Sequence, residues 1–152
     1  MNRLRPPAGG RGDGPASYVL NLPSAPSFEG KGLKGFAFGL RHPQLDIHFV
    51  DVAQGHDTYM ISKCVTRIYY ILEGEGSFTI ENKTYPVRPR MLIEVPPNLE
   101  YSYSGTMKLL LIGTPRWFMG NERMTRKNPD VHPGTPLQRF LGRLAVWRPR
   151  TS

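Results

Sequence analysis

The sequence contains a single cysteine, Cys64, among its 152 residues. One cysteine excludes an internal disulfide framework and a zinc site built from several thiolates. No apolar run approaches the ~18 residues of a membrane-spanning helix. The opening residues, Met1–Arg5, lead into Pro- and Gly-rich sequence rather than into the apolar segment of a signal peptide. We therefore expect a cytoplasmic protein without a membrane span.

Acidic residues are also few, with 12 Asp and Glu against 20 Lys and Arg, which gives a formal net charge of +8. Much of the excess lies in the first residues and from Arg116 onward, whereas the central segment is closer to balance. The tyrosines do not form the basic and aromatic surface stripe that binds single-stranded nucleic acid. We therefore expect the basic ends to attract polyanions only weakly, and we expect no nucleic-acid partner.

The composition divides the chain into three segments. Residues 1–17 are rich in Pro and Gly without apolar periodicity, which predicts a disordered tail. Residues 18–115 form the predicted β domain. Residues 116–152 are predicted to be an irregular basic extension with a short helix that begins near Thr135. The apolar residues at helical spacing are Leu137, Phe140, Leu141 and Leu144. The helix is expected to cap the β domain; the alternative is a basic amphipathic segment that contacts a partner or a membrane surface.

Short apolar strands separated by turn residues fill the central segment. The turns are predicted at Gly74–Gly76, Glu81–Lys83, Arg88–Arg90, Pro96–Asn98 and Ser104–Thr106. Strands at this spacing are typical of an antiparallel all-β barrel or jelly roll. The prediction is therefore an all-β fold that solves its edge-strand problem by curling.

This segment resembles a cupin. Gly55–Gly74 has the spacing of the first cupin motif, and Tyr70–Gly76 matches the usual wording of its last strand and turn. Arg90–Gly105 falls on the second motif and carries Val95–Pro97 as cupins do. The resemblance covers roughly residues 36–113. It implies a small barrel of two antiparallel sheets with one site in its mouth, often assembled as a homodimer.

The resemblance ends at the metal ligands. Four positions that hold metal ligands in cupins carry other residues here: Ile61, Lys63, Arg67 and Tyr101. Isoleucine has no donor atom, lysine and arginine are cations, and a neutral phenol is a poor ligand for divalent metals. None of the four histidines has a paired spacing that would rebuild the site. We therefore expect no metal and no other cofactor, and we do not carry over metal-dependent activities such as dioxygenase chemistry.

The replacements themselves predict a different kind of site. If Lys63 and Arg67 point into the barrel as the family's ligands do, they suit an anion such as a carboxylate or phosphate. A desolvated Lys63 would lose proton affinity and could act as a base, so the candidate catalytic residues are Lys63 and Tyr101. The predicted ligand-binding residues are Lys63, Arg67, Tyr59, Tyr69, Tyr101, Tyr103, His48 and His56.

The function expected from this sequence is a metal-independent cupin domain that binds a small anionic or polyhydroxylated metabolite. Because relatives with this fold act as sugar epimerases and isomerases through acid and base side chains, an isomerase, epimerase or lyase activity is one reading. A second interpretation is a structural barrel whose interior is filled by side chains, with Lys63 and Arg67 paired to glutamates. The third is a non-catalytic dimeric scaffold or sensor that acts through its basic C-terminal segment.

Overall fold

The structure, a computed structural model, describes residues 18–132. The predicted tail over 1–17 and the predicted helix near Thr135 lie outside these residues. The strands are β1 (Phe28–Glu29), β2 (Leu33–Ala37), β3 (Asp46–Val52), β4 (Thr58–Ser62), β5 (Thr66–Ile80), β6 (Lys83–Val87), β7 (Leu92–Val95), β8 (Glu100–Thr114) and β9 (Glu122–Lys127). Every strand pairing is antiparallel. None of these residues forms a helix long and apolar enough to cross a bilayer. The predicted antiparallel all-β fold is confirmed.

One curled sheet contains all nine of these strands. Its order is β1-β2-β3-β8-β4-β9, and β5 pairs with β6, β7 and β8. β8 is the shared strand, because its second half lies between β3 and β5 and its first half lies between β4 and β5. The concave face of the sheet buries the apolar core, in which Val50, Ile71, Phe78 and Leu109 are fully buried.

β5 and β8 are each 15 residues long and continuous. The predicted turns at Gly74–Gly76 and Ser104–Thr106 are therefore wrong, because these two stretches pair with each other across the sheet. Gly74 and Gly105 have φ angles of +81° and +129°. A Cβ atom on Gly74 would overlap the backbone of Thr106, and one on Gly105 would lie 2.5 Å from the carbonyl oxygen of Glu75. The glycines thus allow close approach of two bent strands rather than chain reversal.

Three other predicted turns are confirmed by the backbone. Glu81 and Asn82 have φ angles of 47° and 66°, as a tight two-residue hairpin requires, and they join β5 to β6. Arg90 and Asn98, with φ angles of 73° and 68°, turn the chain before β7 and before β8. The hairpin turn keeps β6 paired with the second half of β5.

The β domain continues beyond the predicted boundary at residue 115. Residues Glu122–Lys127, expected to be irregular, form β9, which pairs with β4. Two asparagines at its ends are buried, Asn121 before the strand and Asn128 after it. β9 therefore belongs to the β domain, and it brings an acidic residue, Glu122, to the buried end of the sheet.

Replacing Gly105 by alanine should destabilise the protein by about 2 kcal/mol or more, because it forces a Cβ into a left-handed backbone position against Glu75. Gly39→Ala is the matched control, since no atom lies within 4 Å of the added Cβ. Urea denaturation of both variants measures the difference. Equal free energies of unfolding for the two variants would contradict the close approach of β5 and β8.

Candidate functional site

Polar side chains gather at the end of the sheet where β5 begins and β8 ends. In the register of β3, β8 and β5, Arg67 and Asp46 both pair with Gly113. Two residues further along these strands, Tyr69 and His48 both pair with Leu111. Because side chains two residues apart on a strand share a face, these rows place a carboxylate, a guanidinium, an imidazole and a phenol on the concave face.

Arg67 is the centre of this cluster and only 5% exposed. Its Nη2 donates to Glu122 Oε1 on β9, and its Nη1 lies 3.9 Å from Asp46 Oδ1. Burial opposes the charge of Arg67, but the neighbouring Tyr69 and Glu122 raise its pKa above the ordinary value. The guanidinium therefore remains charged between two carboxylates, which compensate it.

Three tyrosines line the interior next to Arg67. Tyr69 and Tyr101 join their hydroxyls at 2.7 Å, and the Tyr103 ring lies 5.5 Å from that of Tyr69 and 4.8 Å from that of Phe78. Burial raises the pKa of all three phenols, that of Tyr101 to about 12. At neutral pH they are therefore protonated hydrogen-bond donors in a dry environment.

His56 approaches the tyrosines from the loop before β4. Its ring lies 6.0 Å from that of Tyr103, and its Nδ1 lies 2.9 Å from the carbonyl oxygen of Thr58. Because a carbonyl only accepts, Nδ1 carries the proton and Nε2 the lone pair of the neutral ring. Burial lowers the pKa of His56, against the opposing effects of the Thr58 carbonyl, Asp57 and Glu122. The imidazole is thus a neutral base at pH 7.

Solved structures with the same fold fall into several protein classes. Pac13, described as a unique nucleoside dehydratase, is 25% identical with a TM-score of 0.70, over 76% of this chain and 96% of its own. KdgF from a Halomonas species is 13% identical, with a TM-score of 0.54, over 61% of this chain and 87% of its own. The cupin domain of Cnp3 from Schizosaccharomyces pombe is 19% identical, with a TM-score of 0.51, over 55% of this chain and 65% of its own. The chain has a cupin fold. No family model and no curated protein sequence matches it.

Three further structures are of Streptomyces Pac13 variants with uridine, at 24% identity. The substituted residues are a histidine and two tyrosines: the first tyrosine follows the histidine by 13 residues and the second follows the first by 34. His56, Tyr69 and Tyr103 stand in the same order at the same spacing. These are the residues that meet inside the barrel of this chain.

The predicted partnership of Lys63 with Arg67 inside the barrel is wrong. Lys63 is exposed in the turn between β4 and β5, where its backbone N–H donates to the Asn121 carbonyl. The interior residue of β4 is Met60 rather than Ile61, and the pairing with β9 shifts register between Tyr59 and Met60. A shift of one residue exchanges the two faces of a strand, so the family's ligand register does not hold on β4.

Tyr59, another predicted site residue, is buried outside the tyrosine cluster, with Arg126 stacked 3.6 Å over its ring. The other predicted residues do gather at the site: Arg67, Tyr69, Tyr101, Tyr103, His48 and His56. The glutamates expected to pair with Arg67 lie elsewhere, since Glu73 pairs with Lys108 and Glu100 with Arg126. Arg67 is paired instead to Glu122 and Asp46.

The side chains at the cupin metal positions do not fit a divalent metal. An arginine held by two carboxylates and a tyrosine bound to another tyrosine occupy two of the four positions; Ile61 has no donor atom, and Lys63 is exposed in the turn after β4. Among residues 18–132, no three His, Cys, Asp or Glu side chains come close enough together to hold an ion.

Sequence reasoning missed three polar residues of the site. Glu122 and Asn128 lie in a segment without strand periodicity. Asn128 Nδ2 donates to the carbonyl oxygen of His56 at 3.1 Å and lies 3.3 Å from that of Tyr103, so it fixes the loop to β8. Asp46 could have been found, because it alternates in phase with Val50 and Val52, which are core residues.

Replacing Arg67 by glutamine should cost about 3–5 kcal/mol, because it leaves the buried carboxylate of Asp46 and the partly buried carboxylate of Glu122 without a counter-charge. The control is Lys108→Gln, which breaks the exposed pair with Glu73 and should cost less than about 1 kcal/mol. Both values are obtained from urea unfolding. Similar losses in the two variants would show that the Arg67 cluster is not a buried charge network.

The buried tyrosines predict a loss of stability at alkaline pH. The pKa of Tyr101 in the folded protein, about 12, exceeds its ordinary value of 10, so the folded state holds the proton more tightly than the unfolded chain does. Stability is complete below pH 10 and should fall by about 1.4 kcal/mol per pH unit for this group as pH rises toward 12. Unfolding measured across this range should show a smaller slope in Tyr101→Phe. The exposed-site control, Tyr85→Phe, should keep the wild-type slope.

Proposed function

We propose that this cupin is a metal-independent dehydratase, a lyase that removes water from a polyhydroxylated small molecule of the nucleoside class. The observation that carries the proposal is the convergence of His56, Tyr69 and Tyr103, whose types and spacing match the residues substituted in Pac13. The 25% identity to Pac13 over 76% of this chain supports the same reading. The fold alone would not support a dehydratase, since one fold serves many activities.

The groups at the site match the needs of an elimination. A base must take a proton from carbon and an acid must protonate the departing hydroxyl. The lone pair on His56 Nε2 takes the proton, the C–H electron pair forms the double bond, and the C–O bond breaks. A tyrosine hydroxyl supplies the proton that makes the leaving group water. Return of the proton from the imidazolium to the phenolate restores the enzyme.

Glu122 stabilises the stage of this cycle at which His56 is a positively charged imidazolium. Its carboxylate raises the pKa of His56 and lies close enough to affect Tyr101 and Tyr103 as well. It therefore stabilises an imidazolium once His56 has taken a proton. Arg67 holds Glu122 in place, so the two act together as a positioning pair.

The charge balance of the site favours a neutral ligand over an anion. Arg67 faces the carboxylates of Glu122 and Asp46, and the described site brings no other buried cation near it. An anion entering here would have to displace or outweigh two carboxylates. Hydroxyl groups, in contrast, find donors in the tyrosines and acceptors in the carboxylates.

The test is turnover of uridine and of nucleosides oxidised to a carbonyl, because a neighbouring carbonyl makes the C–H proton acidic enough for a histidine. Mass spectrometry should detect a product that lacks one water. His56→Gln, Tyr69→Phe and Tyr103→Phe should each lower kcat/KM by about 10²–10⁴. The acid limb of the wild-type profile should lie below pH 6.5, since burial lowers the pKa of His56 from that value.

Two matched controls keep this test specific. His42 is an exposed histidine, and Tyr70 is the outward-facing neighbour of Tyr69 on β5, so His42→Gln and Tyr70→Phe should retain activity. Binding of uridine is measured in parallel by calorimetry. If the folded protein neither binds a nucleoside nor releases water, the proposal is wrong and the filled structural barrel replaces it.

A further inference from the structure

Three buried polar atoms beside Arg67 have no hydrogen-bond partner within the described residues: Asp46 Oδ1, His48 Nδ1 and Arg67 Nε. Asp46 and Arg67 are only 8% and 5% exposed. Buried polar atoms are almost always bonded in native proteins, so a group of unbonded ones at one place needs an explanation. None of the three is required by the elimination chemistry proposed above.

The strands keep the acidic and basic members of this group apart. Asp46 Oδ2 accepts the backbone N–H of Trp117 at 2.7 Å, which fixes the carboxylate, while Oδ1 lies 3.9 Å from Arg67 Nη1. That separation is an ion pair but too long for a hydrogen bond. Gly113 lies between them on β8, and a Cβ there would overlap Asp46 Oδ1 and lie 3.1 Å from Arg67 Nη1. An acceptor and a donor therefore stand side by side across a glycine.

The aromatic ring of Phe28 lies next to these unbonded polar atoms. The Phe28 ring lies 5.4 Å from that of His48 and covers Gly35, where any Cβ would overlap it. Phe28 is 38% exposed, so part of its ring faces solvent. A partly exposed aromatic ring beside unbonded polar atoms can stack against a planar heterocycle and hydrogen-bond its edge.

We propose that Asp46 and Arg67 form a subsite that reads the imide edge of a pyrimidine base such as uracil. This edge presents an N–H donor flanked by carbonyl acceptors, which matches the Asp46 acceptor and the Arg67 donors. Cytosine carries a lone pair at N3 where uracil carries the N–H, so its N3 cannot donate to Asp46 Oδ1 and the two acceptors would face each other. The inference rests on the proposed function and adds the base preference of the same site.

Wild-type protein tests the subsite without any mutation. Calorimetry should show that uridine binds at least about tenfold more tightly than cytidine and than N3-methyluridine, which lacks the imide N–H. Binding of N3-methyluridine with the affinity of uridine would overturn the subsite and leave the proposed function intact. Absence of binding by every nucleoside would overturn both.

Asp46→Asn tests the residue itself. The amide oxygen can still accept from the Trp117 N–H, while the amide nitrogen replaces the Oδ1 acceptor by a donor. The uridine preference should fall at least about tenfold and move toward cytidine. Asp51→Asn is the matched control, since Asp51 lies exposed on the same strand. A variant that folds by thermal unfolding and keeps the wild-type ratio of uridine to cytidine affinity would overturn the assignment of Asp46.

Discussion

The pairing of β5 with β8 along their whole lengths is the constraint on which the architecture depends. It sets the register that brings Arg67 opposite Gly113 and Tyr69 opposite Leu111. The same β8 residues pair with β3, so Asp46 and His48 are placed by the same strand. Gly74 and Gly105 permit this pairing where the two strands bend across each other. The position of the site is therefore a consequence of strand register rather than of loop conformation.

The second feature of the interior is that the charge of Arg67 is compensated by two carboxylates. A buried ion pair is a poor source of stability, since well-packed apolar residues of similar volume often serve as well or better. A purely structural barrel has no need of Arg67, Glu122 and Asp46 together with three buried phenols. Their presence next to a neutral imidazole is therefore an argument for a functional site. The protonated tyrosines and the low proton affinity of His56 both follow from the same dry environment.

The sequence predicted the elements better than their connections. Apolar runs and the turn residues at Glu81 and Asn82 located strands correctly, because period and backbone preference are local properties. Gly74 and Gly105 predict turns where the chain does not turn, because a glycine that reverses the chain and one that lets two strands approach look identical without the partner strand. The family resemblance located Arg67 and Tyr101 but placed Lys63 inside the barrel. A motif match cannot reveal the one-residue shift in strand register beside Met60. Glu122 could not be predicted as a site residue, because its partner, Arg67, is 55 residues away in the sequence.

Arg67 gives the site a fixed charge at one of the replaced cupin metal positions. In the resemblance it stands where a cupin has its ligating glutamate, so a fixed positive charge lies near the place where a cation would otherwise bind. That charge is already balanced by Glu122 and Asp46, so Arg67 acts on the proposed elimination by holding Glu122 in place rather than by binding an anion. The two carboxylates around Arg67 keep that cation stable in the absence of ligand. Because a guanidinium cannot accept a proton, the proposed elimination assigns the base to His56, whose ring lies beside that of Tyr103.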